Sequence, residues 1–217
     1  MKKYILFPLL LLTLLLAACN GSQSQNGNQS GKPAMVTPSG SPQAAVDHSL
    51  DPMKQEVENN PSVEGYLNLG NAYTERARFA EAVDAYKKGL AINPNHPATL
   101  ANLGVALYQL GRYSEAQEQF KKALKVNPND AATTYLLGAT YLQTGDQKNA
   151  ELMFKKALAI EPTLPEAHFG LGALYALQGK KDQAIEEFET FLAGPPAQDP
   201  RAKSEAERYL KQLKSGQ

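Results

Sequence analysis

The chain carries one cysteine and three histidines in 217 residues, and no tryptophan. A single cysteine excludes an intramolecular disulfide. No Cys/His cluster has the spacing of a metal site. Basic and acidic residues balance at 22 each, so no global charge points to nucleic acid. There is no Gly-x-Ser-x-Gly elbow and no phosphate-cradling glycine loop. The one long apolar run, residues 5–16, is shorter than the roughly 20 residues a spanning helix needs. These absences leave little that could carry catalysis, cofactor or metal chemistry, and the chain reads as a non-enzyme.

What is present is a pattern written four times at a period of 34 residues over 63–198. Gly70, Gly104, Gly138 and Gly172 stand in register, as do Pro94, Pro128, Pro162 and Pro196. So do Ala82, Ala116, Ala150 and Ala184, the leucines Leu69, Leu103, Leu137 and Leu171, and the aromatics Tyr86, Phe120, Phe154 and Phe188. A fixed period of this length marks a solenoid or an array. Each copy holds two helical patterns. In the second, Leu100, Leu103, Leu107 and Leu110 recur at three and four residues, Gly111-Arg112 breaks the run, and Ala116, Phe120, Ala123 and Leu124 resume it. Gly111 suits the left-handed turn that ends a helix, and Pro128 forces a corner. Gly104 and Ala116 are small enough for the two helices to approach closely. One such pair cannot cover its own apolar stripe, so stability must come from stacking.

The length and these residues resemble the tetratricopeptide-repeat family throughout 63–198. Departures are few. Ala77 stands where the other copies have Gly111, Gly145 and Gly179. The first signature position is Tyr66, Leu100, Thr134 and His168, without the Trp often found there. Gly89 and Phe191 replace the usual late Ala in the first and fourth copies. The resemblance implies an all-α, right-handed α-solenoid of four helix hairpins, at 63–96, 97–130, 131–164 and 165–198, plus a C-terminal capping helix in 199–217.

Residues 1–18 read as a targeting segment, with Lys2 and Lys3 before the apolar run. The end, Leu16-Ala17-Ala18-Cys19, resembles the lipobox of bacterial lipoproteins and places the sole cysteine at the lipid-attachment position. That resemblance implies cleavage before Cys19 and anchoring by fatty chains such as palmitate, each buried CH₂ contributing about 0.8 kcal/mol. The other reading is an ordinary secretory signal with a chance cysteine. Asn20 is not the Asp that retains enteric lipoproteins in the inner membrane, which points to the periplasmic face of the outer membrane in a two-membraned cell. In 20–49, 20 of 30 residues are Gly, Ser, Gln, Asn or Pro, a linker composition, and His48 reads as a solvated linker histidine. Residues 50–62 read as a short helix lidding the first repeat. Asp199-Pro200 reads as a helix start, and Ala206 and Tyr209 continue the 34-residue register with Glu205 in the leucine column.

The family binds peptides along the first helices of successive repeats. That implies a groove including Asn68, Asn71, Asn102, Tyr108, Tyr135, Leu136, Leu142 and Phe169. Further inward residues are Glu75, Val105, Gln109, Ala139, Gln143, Ala173, Ala176 and Leu177. Chaperone-binding members clamp a terminal carboxylate with Lys and Arg in the third repeat; Ala132 and Leu136 hold those places here. The same inward residues have a plain alternative, packing between neighbouring helices. His96 falls in an interrepeat turn, and His168 takes a packing position. The pairs Lys87-Lys88, Lys121-Lys122 and Lys155-Lys156 form a ladder, readable as a solvated convex face or as a contact for anionic lipid or cell-wall polymer. The expected function is a lipid-tethered, non-catalytic scaffold that binds a protein or peptide segment during assembly of envelope complexes, for example in pilus or secretin biogenesis or cell-wall enzyme recruitment. The alternative is a structural subunit that self-associates. Cys19→Ser should yield an unprocessed or soluble precursor; a mature-sized variant fractionating with membranes would exclude the lipid anchor.

Overall fold

The computed structural model describes residues 48–197 and 199–215. The targeting segment, Cys19 and the linker through residue 47 lie outside the described residues. Among the described residues all regular structure is helical. A 3₁₀ turn, His48–Leu50, leads into α1 (Asp51–Asn59). Four hairpins follow: α2 (Val63–Glu75) with α3 (Phe79–Ile92), α4 (Pro97–Gln109) with α5 (Tyr113–Val126), α6 (Ala131–Gln143) with α7 (Gln147–Ile160), and α8 (Pro165–Leu177) with α9 (Lys181–Ala193). The last element is α10 (Pro200–Ser215). His48 and Ser49 thus belong to a turn and not to the linker, and Ser49 Oγ accepts a bond from Arg76 Nη2 at 3.0 Å.

Local chemistry sets the boundaries. Ser62 Oγ accepts the Gly65 N–H at 3.1 Å, and Asp130 and Asp146 accept from Thr133 and Asn149 at 3.0 and 3.1 Å. Each satisfies a backbone donor that the first turn leaves unpaired. His96 does the same for α4, its Nδ1 accepting from the Thr99 N–H, with Pro97 at the first helical position. Hairpin turns pass through Gly111, Gly145 and Gly179 at φ of 72°, 79° and 69°. The first copy makes the same turn with Ala77 at φ 55°, a conformation costing an L-residue roughly 1–2 kcal/mol.

Inside each hairpin the glycine column faces the aromatic column. A methyl group on Gly104 would lie 2.6 Å from the Phe120 ring, which is itself fully buried. Ala82, Ala116, Ala150 and Ala184 are likewise fully buried where the two helices cross. Each second helix then packs against the first helix of the next repeat. Successive first helices also touch one another, α2 to α4, α4 to α6, α6 to α8 and α8 to α10, whereas successive second helices do not pack comparably. The first helices therefore form the inner wall of the array. The two larger core clusters run along it and meet at Leu136 and Tyr141, which pack against both, and a small third one gathers Leu100, Ala101 and Ala123.

The ends differ. α10 docks as a fifth first helix: Ala206 is fully buried and Tyr209 stacks on Phe188, centroids 5.1 Å apart and rings within 6°. Glu205, in the leucine column, is half-buried, and Asp199 accepts the Arg201 N–H at 2.9 Å at the helix start. Phe191, the large residue in a column that otherwise holds Gly89, Ala123 and Ala157, packs edge-on to Phe169 at 5.4 Å. At the other end α1 seats Val57 and leaves a cleft of about 240 Å³ against α2 and α3.

Gly104→Ala should lower unfolding free energy by about 1–3 kcal/mol, because the buried Phe120 ring has nowhere to move. Ala77→Gly should raise it by about 1 kcal/mol, since Ala77 is exposed and loses no packing. Urea denaturation of the full chain measures both.

Candidate functional site

Residues at i, i+4, i+7 and i+11 share one face of a helix. On α2 such a face is Glu64, Asn68, Asn71 and Glu75; Asn71 is half-buried and the other three are exposed. The repeat carries the stripe across the inner wall as Ala98, Asn102, Val105 and Gln109 on α4, then Ala132, Leu136, Ala139 and Gln143 on α6. On α8 it is Glu166, Gly170, Ala173 and Leu177, the last of these 55% exposed. Asn68, Asn71, Asn102 and Leu136, expected in the groove, lie on this stripe. Glu64, Ala98, Glu166 and Gly170 also lie on it and were not among the expected residues; the same helical spacing applied from Asn68 finds them.

Three expected groove residues are elsewhere. Tyr135 is 3% exposed and stacks on Phe154 at 5.8 Å, and burial pushes its phenol well above the ordinary tyrosine range. Phe169 is 1% exposed, edge-on to Phe188 at 5.5 Å. Both precede a stripe residue by one position, about 100° around the helix, which turns them onto the second helix of their own hairpin. Leu142 is also buried. Tyr108 is half-buried, edge-on to Tyr113 at 5.3 Å and hydrogen-bonded to Gln143, and burial raises its phenol.

The most organised part of the inner wall is the seam between the first two repeats. Asn102 Nδ2 donates to Asn71 Oδ1 at 2.8 Å, and Tyr86 OH donates to the same oxygen at 2.8 Å. The Tyr86 oxygen also lies 3.1 Å from Thr74 Oγ1, which donates to the Gly70 carbonyl at 2.9 Å. Burial raises the Tyr86 phenol, so it stays a donor. Both amide planes are thereby fixed. Asn71 Nδ2 and Asn102 Oδ1 have no hydrogen-bond partner among the described residues. The seam offers one donor and one acceptor from side chains already held in place.

The lysine ladder lies on the second helices, away from this wall. Lys121 sits 5.4 Å from the Tyr141 ring centre and Lys155 6.0 Å from that of Tyr175, each reaching over the next repeat. Lys155 also donates to Glu151 at 2.7 Å, and this bond holds the Glu151 carboxyl below the usual carboxylate range. His168 spans the Glu187 carboxylate at 2.7 Å and the Pro162 carbonyl at 3.0 Å, so it ties α8 to α9 and to the preceding turn. Among the described residues no three His, Cys, Asp or Glu side chains gather as a metal site.

The sequence profile of the family described as Tetratricopeptide repeat matches residues 73–139, 107–151 and 141–204. Among curated proteins none matches the chain. Among solved structures, TTC0263, a thermophilic tetratricopeptide-repeat protein of Thermus thermophilus, is 25% identical over 75% of this chain and 89% of its own, with a TM-score of 0.64. YrrB, described as having an unusual peptide-binding site, is 20% identical over 76% and 82%, with a TM-score of 0.59. The first repeat module of Spaghetti (RPAP3), bound to the HSP90 peptide SRMEEVD, is 22% identical over 54% and 93%, with a TM-score of 0.53. The repeated hairpins, their glycine–aromatic contacts and the profile match together make this chain a member of the tetratricopeptide-repeat family.

Proposed function

We propose that this protein is a scaffold, without chemistry of its own, whose inner wall holds an extended segment of another envelope protein, and that fatty chains on Cys19 tether it to a membrane. The observation that carries the reading is the Asn71–Asn102 seam. An extended backbone presents alternating N–H and C=O groups, and the seam supplies a matching acceptor and donor across two repeats. Because Tyr86 and the amide pair already hold these groups, little ordering entropy is left to lose on binding. The reading agrees with the peptide-binding site for which YrrB is described and with the peptide held by Spaghetti (RPAP3). In a cell envelope such a cradle would recruit or hold components during assembly, as pilus, secretin or cell-wall machineries require.

Self-association is the second reading. Leu152 is 57% exposed on a second helix, in a column that carries Asp84, Glu118 and Glu186 in the other repeats. A sedimentation mass above that of one chain, lost in Leu152→Glu, would favour it.

A photocrosslinking side chain placed in living cells at Asn68, which is exposed on the inner wall, should trap a partner. The same group at Leu152 should not. Asn71→Ala/Asn102→Ala should weaken capture about tenfold, the loss of one or two net hydrogen bonds. Tyr135→Ala and Phe169→Ala remove core rings and would report on stability. Crosslinks from Leu152 alone would exclude the inner wall as the working surface.

A further inference from the structure

The four first helices that build the inner wall contain no lysine or arginine. Their charged side chains are Glu64, Glu75 and Glu166, while the lysine pairs stand on the second helices. Glu64 and Glu75 are eleven residues apart on α2, at opposite ends of the helix and about 16 Å apart along its axis, so they stand on the two rims of the wall. Between them lies the seam where Asn102, 6% exposed, leaves its carbonyl oxygen unpartnered beside the free amide nitrogen of Asn71. The equivalent seam of the next two repeats is Val105 with Leu136, and that of the last two is Ala139 with Gly170. The seams therefore grade from amide between α2 and α4 to apolar between α4 and α6, where Gln143 at the end of α6 is the one polar residue of that helix's stripe. On α10 the stripe continues as Ser204, Glu207 and Lys211, one acid and one base.

Resting on the groove reading above, we infer that the occupant is an internal segment of the partner, bearing lysine or arginine where it crosses α2 and aliphatic side chains where it crosses α4 to α6. A free C-terminus is disfavoured by the same geometry. A terminal carboxylate would meet Glu64 or Glu75 with no cation on α2, α4, α6 or α8 to pair it, whereas a cationic side chain is drawn to both rims. The seam amides bond main chain of any sequence, so side-chain charge decides which segment stays.

The test pans randomised peptides of about a dozen residues against the full chain in detergent micelles, displayed either with both ends fused or with a free C-terminus. The fused library should enrich for Lys and Arg at least twofold, and more strongly than the free-end library. The best basic peptide should bind roughly tenfold more weakly to Glu64→Gln/Glu75→Gln and lose affinity in added salt. Because both glutamates are exposed, Glu64→Lys/Glu75→Lys should fold and turn the selection toward Asp and Glu. Neutral or acidic peptides that are lost in Asn71→Ala/Asn102→Ala would overturn the charge inference and leave the groove reading standing. Preference for the free-end library would overturn the internal-segment inference. Enrichment that survives Asn71→Ala/Asn102→Ala, or none from either library, would overturn both.

Discussion

The approach of a bare glycine to an aromatic ring, Gly104 to Phe120 and its three equivalents, is the contact from which the architecture follows. With no Cβ at that point, two helices close over a fully buried ring and a fully buried alanine, and the hairpin becomes a thin layer. A layer has two apolar faces and cannot cover both, so the next hairpin must. Because the first helices touch along the array and the second helices splay, stacking also brings together side chains distant in sequence. Asn71 and Asn102, 31 residues apart, share a hydrogen bond only because two glycine–aromatic layers set their helices side by side. The candidate recognition seam is thus a product of core packing and not of a loop.

Most of the architecture was legible in sequence because its causes are local and repeated. The 34-residue register gives the hairpins, turn glycines give the reversals, and proline corners give the spacing. Two features were hidden. Ala77 adopts the left-handed turn its glycine counterparts adopt, which shows tertiary packing overriding a local preference of about 1–2 kcal/mol. His96 acts as a helix cap, a role its position in an interrepeat turn did not reveal. The site was less legible than the fold. Tyr135 and Phe169 sit one residue from the stripe, and periodicity alone does not distinguish a side chain on the wall from one turned about 100° onto its own hairpin. Only the positions of Phe154, Phe188 and Phe191 decide it.

The lysine columns show how one repeated pattern yields different contacts at each junction. Lys121 and Lys155 reach over tyrosines of the following repeat, Tyr141 and Tyr175. At the first junction the matching residue is Leu107, which offers no π-face to a cation. At the last, Glu189 replaces lysine and pairs with Lys214 of α10 at 2.7 Å. These exposed pairs contribute little stability one by one, so the array rests on its buried columns and the convex charges tune its surface.

Comparing the four copies with one another separates packing from recognition. The three columns at the crossing of each hairpin's two helices hold one chemistry each: four glycines, four alanines and four aromatics, all buried. The inner stripe changes in kind from copy to copy, as Glu, Ala, Ala and Glu at its first position and Asn, Asn, Leu and Gly at its second. Packing demands do not explain the carboxylates at Glu64 and Glu75, since both are exposed. A solvated surface would ordinarily mix both signs of charge, as the second helices do. The first helices of the four repeats carry one sign only, beside a fixed amide pair with unused hydrogen-bonding groups. A surface that is polarised, preorganised and different in every repeat is suited to reading a ligand along its length.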